Sequence, residues 1–69
     1  MMTREEIDRA LMAAFITTGV AAAILAITKI QVYYLIREGR LEYIDVGAGG
    51  KQKAYRIKSE SVRRKLDGV

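Results

Sequence analysis

The chain contains no cysteine, no histidine and no tryptophan. Without cysteine there is neither a disulfide nor a thiol nucleophile, and without cysteine or histidine there is no zinc site of the usual kind. No metal and no cofactor are therefore expected. Catalysis is not expected either: Ser59 and Ser61 have no histidine to activate them, Lys58 beside them is ordinary, and no pair of carboxylates forms a credible site. At 69 residues the chain is a single domain, 1–69. A domain of that size buries only roughly 60% of its unfolded surface, so efficient helix packing, a partner or self-association must stabilise it.

Negative charge is scarce in the second half. Before Lys29, Arg4 and Arg9 stand against Glu5, Glu6 and Asp8, a net −1; from Lys29 onward ten cations face five carboxylates, a net +5. The second half is the part expected to meet a polyanion. The acidic N-terminus lacks the basic region of a secretory leader, and a cytoplasmic location is expected.

Thr3 followed by Glu6 has capping-box spacing, and Ile7, Ala10, Leu11, Ala14 and Phe15 recur on one face, predicting an added N-terminal helix from about Arg4 to Ala14. The β-branched run ending at Gly19 interrupts it, and Thr17 or Thr18 can cap a second helix reaching Leu25. That helix has no polar face, and the first helix is the expected cover. Ala26-Ile27-Thr28 is a short connection to a third helix, capped by Thr28, running through Glu38 and stopped by Gly39. Projected at about 100° per residue, Val32, Leu35 and Ile36 face inward, leaving Ile30, Gln31, Tyr33, Tyr34 and Arg37 outside.

Beyond Gly39 the periodicity changes to two. Leu41 to Val46 reads as a strand, Ala54 to Ile57 as its return, and Ser59 as the cap of a last helix, Glu60 to Leu66, with Arg63, Arg64 and Lys65 near its C-terminal end and Gly68 as terminator. The expected fold is mainly α with a small β-hairpin, in the order α-α-α-β-β-α. The hairpin tip, Gly47-Ala48-Gly49-Gly50-Lys51, does not make a nucleotide-binding loop: Asp45 stands where the first glycine is required, Gln52 follows the lysine, and a strand comes next.

Two helices joined by a tight turn and followed by a hairpin with a basic, glycine-rich tip are the parts of a winged helix-turn-helix. The stretch Ile16 to Leu66, about three quarters of the chain, resembles the excisionase and MerR-like DNA-binding domains. The resemblance lies in Ile16-Thr17, Ala21-Ala22, Leu25, Ile27-Thr28, the run Val32 to Leu41, then Ile44, Val46-Gly47, Tyr55-Arg56-Ile57, Ser59-Glu60, Val62 and Leu66. It implies a small phage or mobile-element protein: a recombination directionality factor, a compact transcriptional regulator or the DNA-recognition part of a packaging terminase. The sequence departs from the family where Val20 and Ala23 replace a charged residue, Ala26 a glycine, Tyr34 an arginine and Glu42 a proline. The family's particular base contacts therefore do not transfer.

The residues expected to meet DNA follow from groove chemistry. Thr28 and Lys29 open the third helix, where side chain and helix N-terminus together hold phosphate. Ile30 suits a thymine methyl and Gln31 pairs bidentately with adenine. Tyr33 and Tyr34 offer hydroxyls to phosphate, with one ring free to pack on the hairpin instead; Arg37 reaches phosphate or guanine, or pairs locally with Glu38. Lys51 and Lys53 approach phosphates from the wing, and Arg56 spans a narrow minor groove. The expected partners are double-stranded DNA, an integrase or other DNA-bound protein, and further copies of the chain on DNA.

Two other classes compete. Ala10 to Thr28 is nineteen residues without a charge, which as one helix spans about 28 Å and suggests a single-span membrane peptide with a basic tail. Its seven alanines and three threonines weaken that drive. The remaining class is a protein-interaction module docking through the apolar second helix.

Overall fold

The computed structural model of the chain describes residues 2–47 and 55–68. Among them are four helices and one three-stranded antiparallel sheet: α1 (Arg4–Ala10), β1 (Phe15–Thr17), α2 (Thr18–Leu25), α3 (Lys29–Arg37), β2 (Tyr43–Asp45), β3 (Tyr55–Lys58) and α4 (Ser59–Leu66). Lys51 and Lys53, expected to approach phosphates, lie outside the described residues.

Helix starts follow the threonines. Thr3 and Glu6 close a reciprocal box, with the Glu6 amide donating to Thr3 Oγ1 at 3.2 Å and the Thr3 amide to Glu6 Oε1 at 3.0 Å. Thr17 rather than Thr18 caps α2, accepting from the Val20 amide at 3.1 Å. Thr28 and Gln31 repeat the box at α3. Each pairing satisfies backbone donors that a helix start leaves without partners.

Helices α2 and α3 end in the left-handed region. Gly39, at φ 73°, closes α3, and the Arg40 amide donates back to the Leu35 carbonyl at 2.8 Å. Ala26 does the same for α2 at φ 57°, with Ile27 donating to the Ala22 carbonyl at 3.0 Å. Glycine adopts this conformation without strain, whereas an L side chain raises its energy by roughly 1–2 kcal/mol. The chain turns by 102° between α2 and α3.

The N-terminal third departs from expectation. Helix α1 stops at Ala10, and Leu11 to Ala14 turn into β1, a strand that the helical reading of this region missed. β1 pairs with β3, placing Phe15 opposite Lys58, Ile16 opposite Ile57 and Thr17 opposite Arg56. The Ala14 carbonyl accepts from the Ser59 amide at 3.0 Å instead of continuing a helix. Sheet pairing thus overrides the helical period, helped by β-branched Ile16 and Thr17. The uncharged nineteen-residue stretch is consequently not one helix, and among the described residues no single helix is long and apolar enough to cross a membrane.

Nor is α1 the principal cover of α2. Helix α2 packs on α3, α4, β1 and β3, burying Ala21, Ala22 and Ile24, while α1 buries none of its residues fully. Phe15 and Ala23 are exposed, so a covering α1 does not account for the missing charge at Ala23. Helix α2, the expected docking helix of a protein-interaction module, thus turns Ala21, Ala22 and Ile24 inward and keeps Ala23 exposed.

The sheet runs in the order β1-β3-β2, with Tyr43 opposite Ile57, Ile44 opposite Arg56 and Asp45 opposite Tyr55. A two-stranded hairpin alone is marginal in water, and β1 supplies the third strand. Ile57, Val32 and Val62 are the largest fully buried side chains, joining the sheet's inner face to α3 and α4. The last helix is not capped by Ser59, which lies inside α4, buried, its Oγ without a partner among the described residues. Ser61 performs the joining instead, accepting from the Glu42 amide at 3.2 Å and donating to the Lys58 carbonyl at 2.7 Å. Gly68, at φ 78°, follows α4.

Candidate nucleic-acid interface

Helix α3 carries the expected division of faces. Val32 and Ile36 are buried and Leu35 is half-buried, whereas Thr28, Lys29, Ile30, Gln31, Tyr33, Tyr34 and Arg37 are all exposed. Ile30 keeps 66% of its surface open and Tyr34 56%. Such exposure of large apolar groups on one short helix is not required by the core they sit beside.

The helix start arranges its own polar groups. Gln31 Oε1 accepts from the Thr28 amide at 2.9 Å and from the Thr28 hydroxyl at 3.4 Å, which engages both lone pairs of that oxygen and orients the carboxamide with Nε2 left to donate. Bidentate pairing to adenine would require the Thr28 hydroxyl to turn away from Oε1, so that Oε1 and Nε2 are both presented. Lys29 extends beside the start of α2: a Cβ placed on Gly19 would lie 3.4 Å from Lys29 Cε and 3.9 Å from its Nζ. The Lys29 ammonium and the amide end of α2 therefore share one electropositive corner.

Arg37 does not pair with Glu38. Its guanidinium lies 6.0 Å from the Tyr34 ring centroid, a cation–π approach on the exposed face. Tyr33, in contrast, leans toward the hairpin, its ring centroid 5.9 Å from that of Tyr55 at 63°. Tyr55 meets Tyr43 in turn at 5.1 Å and 89°. Tyr43 and Tyr55 are thus part of the surface beside α3, although neither was among the expected contacts. Their parity with inward-facing Ile57 was the available signal; their meeting with Tyr33 depends on how α3 docks.

Arg56 lies elsewhere. It faces Thr17 and Ile44 across the sheet, on the side opposite Tyr55 and Ile57, and its guanidinium donates to the Tyr55 carbonyl at 3.4 Å. The structure therefore does not bring Arg56 onto the α3 face. Two cations of α4 are also engaged: Arg63 pairs with Asp8 and Arg64 with Glu42, each at 3.5 Å, and Lys58 joins Glu42 at 3.4 Å. These exposed pairs stabilise little, but they lower the local positive charge. Among the described residues, Lys29, Arg37, Arg40, Arg56 and Lys65 make no ion pair.

Two clefts flank α3. One, of about 480 Å³, runs between Gln31, Tyr34 and Leu35 and the ends of α2 and α4; the other, of about 490 Å³, lies between α3 and the hairpin. Among the described residues no cluster of acidic side chains could hold a metal ion. Comparison with protein-family models, with curated proteins and with solved structures gave no match to this chain.

Proposed function

We propose that the chain is a winged helix-turn-helix domain that binds double-stranded DNA sequence-specifically, acting as an excisionase-like recombination directionality factor or a small transcriptional regulator. One observation carries this reading: α3 holds its core with Val32 and Ile36 and turns Lys29, Ile30, Gln31, Tyr34 and Arg37 outward beside a hairpin. The 102° turn between α2 and α3 falls within the range of helix-turn-helix units. A helix of this diameter enters the major groove, where Ile30 and Gln31 meet base edges while Lys29 and Arg37 meet phosphates. Lys51 and Lys53 would contribute from the wing, and Arg56 only from the sheet side that faces away from α3.

Single modules make small DNA interfaces, so a second copy or a DNA-bound partner such as an integrase would complete the affinity. Titration against a random-sequence duplex pool and a duplex selected from it, at two salt concentrations, tests the reading. About 5 to 8 neutralised phosphates give a log–log salt slope close to that number. Absence of binding, or binding indifferent to salt, overturns it.

A further inference from the structure

The cleft between α3 and the hairpin is lined by Tyr33, Ile36, Arg37, Tyr43 and Tyr55. Tyr55 is its centre, half-buried and holding Tyr33 and Tyr43 edge-to-face. Such packing fixes rings in position. Tyr33 and Tyr43 nonetheless keep 42% and 45% of their surfaces exposed. Among the described residues, the hydroxyls of these three tyrosines have no hydrogen-bond partner. Arg37 brings the one cation on the lining among the described residues. The nearest carboxylate on the same hairpin face, Asp45, is turned to the Gly47 amide, from which it accepts at 2.9 Å, and it does not line the cleft.

We infer that this cleft seats a phosphodiester of one DNA strand, with the Tyr43 and Tyr33 hydroxyls donating to its oxygens and Arg37 meeting its charge. The inference rests on the DNA-binding reading above and adds Tyr43, a hairpin residue outside the expected contact set. A phosphodiester offers acceptors only and carries a negative charge, which suits a lining of hydroxyl donors and one guanidinium. A stacked base fits less well, because the Tyr55 ring is already taken up by its two neighbours. The hairpin would then hold the strand that borders the groove read by α3.

Tyr43→Phe removes the hydroxyl and keeps the ring against Tyr55, and urea unfolding checks that stability is retained. Wild type and variant are titrated with a selected duplex, a scrambled one, and a series of the selected duplex bearing single neutral methylphosphonates. The variant is expected to bind about five- to tenfold more weakly, equally on both sequences. One methylphosphonate should weaken the wild type by more than Tyr43→Phe does, and should weaken the variant by a smaller factor than the wild type, since the two changes share the Tyr43 contact while Arg37 still meets the phosphate in the variant. Arg37→Gln should lower the salt slope by about 1. Unchanged binding by Tyr43→Phe, a loss confined to the selected sequence, or additivity at every phosphate overturns the inference while wild-type binding leaves the DNA-binding reading standing. Failure of the wild type to bind any duplex removes both.

Discussion

Helices α2 and α3 are each about two turns long, each is opened by a threonine and followed by a residue in the left-handed region, yet they treat their apolar residues in opposite ways. Helix α2 carries no charge and spends its apolar face on α3, α4 and the sheet, whereas α3 buries Val32 and Ile36 and leaves Ile30, Tyr33 and Tyr34 in water. Burial explains Ala21, Ala22 and Ile24 of α2. It does not explain α3, and that residue of unexplained apolar surface, mixed with Lys29 and Arg37, is what a DNA groove would use.

The contrast is broken most severely by paired truncations. Ile24→Ala should destabilise the domain by about 2–5 kcal/mol in urea unfolding, while Ile30→Ala should cost less than about 0.5 kcal/mol. Comparable losses at the two sites would show that α3's outer face is structural. Tyr34→Ala should weaken binding to a selected duplex on the order of tenfold, about 1.4 kcal/mol, with unfolding unchanged. A stability loss with intact binding would reverse the assignment.

The caps sharpen the comparison at smaller scale. Thr28→Ala removes the hydroxyl that accepts from the Gln31 amide and should cost about 1 kcal/mol in the same unfolding assay. It should also loosen Gln31, so discrimination between duplexes should fall more than stability alone accounts for. Ala26→Gly relieves the left-handed strain at the joint between the two helices and should stabilise by about 0.5–1 kcal/mol, after glycine's greater unfolded-state entropy is subtracted. A loss on that substitution would mean that the Ala26 methyl packs productively.

The smallest effect concerns α1. The Thr3 amide, and then the Thr3 hydroxyl, hold the Glu6 carboxyl below its ordinary range. A lowered carboxyl contributes stability that is present above the ordinary range and is lost as pH falls through the lowered value. Circular dichroism between neutral and acid pH should show that component in the wild type and its absence in Glu6→Gln. An identical acid transition in both would assign it to another group.

Local chemistry was readable wherever a residue acts on its near neighbours. The three threonine caps, the Gly39 stop and the two faces of α3 all follow from spacings of a few residues. β1 was not readable, because three residues embedded in an apolar run give no period of their own and their partner, β3, lies some forty positions away. The role of Ser61 was not legible because its link to Glu42, the residue before β2, joins positions nineteen apart in the chain. Arg56 is legible as a basic residue on a returning strand, but the side it occupies depends on the β1-β3-β2 register.

From the amino-acid order alone come the helix starts, the breaks between them, the outward set on α3 and the positive second half, because these depend on local hydrogen bonding, periodicity and charge counting. Tertiary structure decided that Phe15–Thr17 is a strand, that α2 is covered by α3, α4 and the sheet, and that Tyr33, Tyr43 and Tyr55 meet. Those outcomes are set by which distant surfaces bury each other most effectively, a quantity no short window of sequence contains.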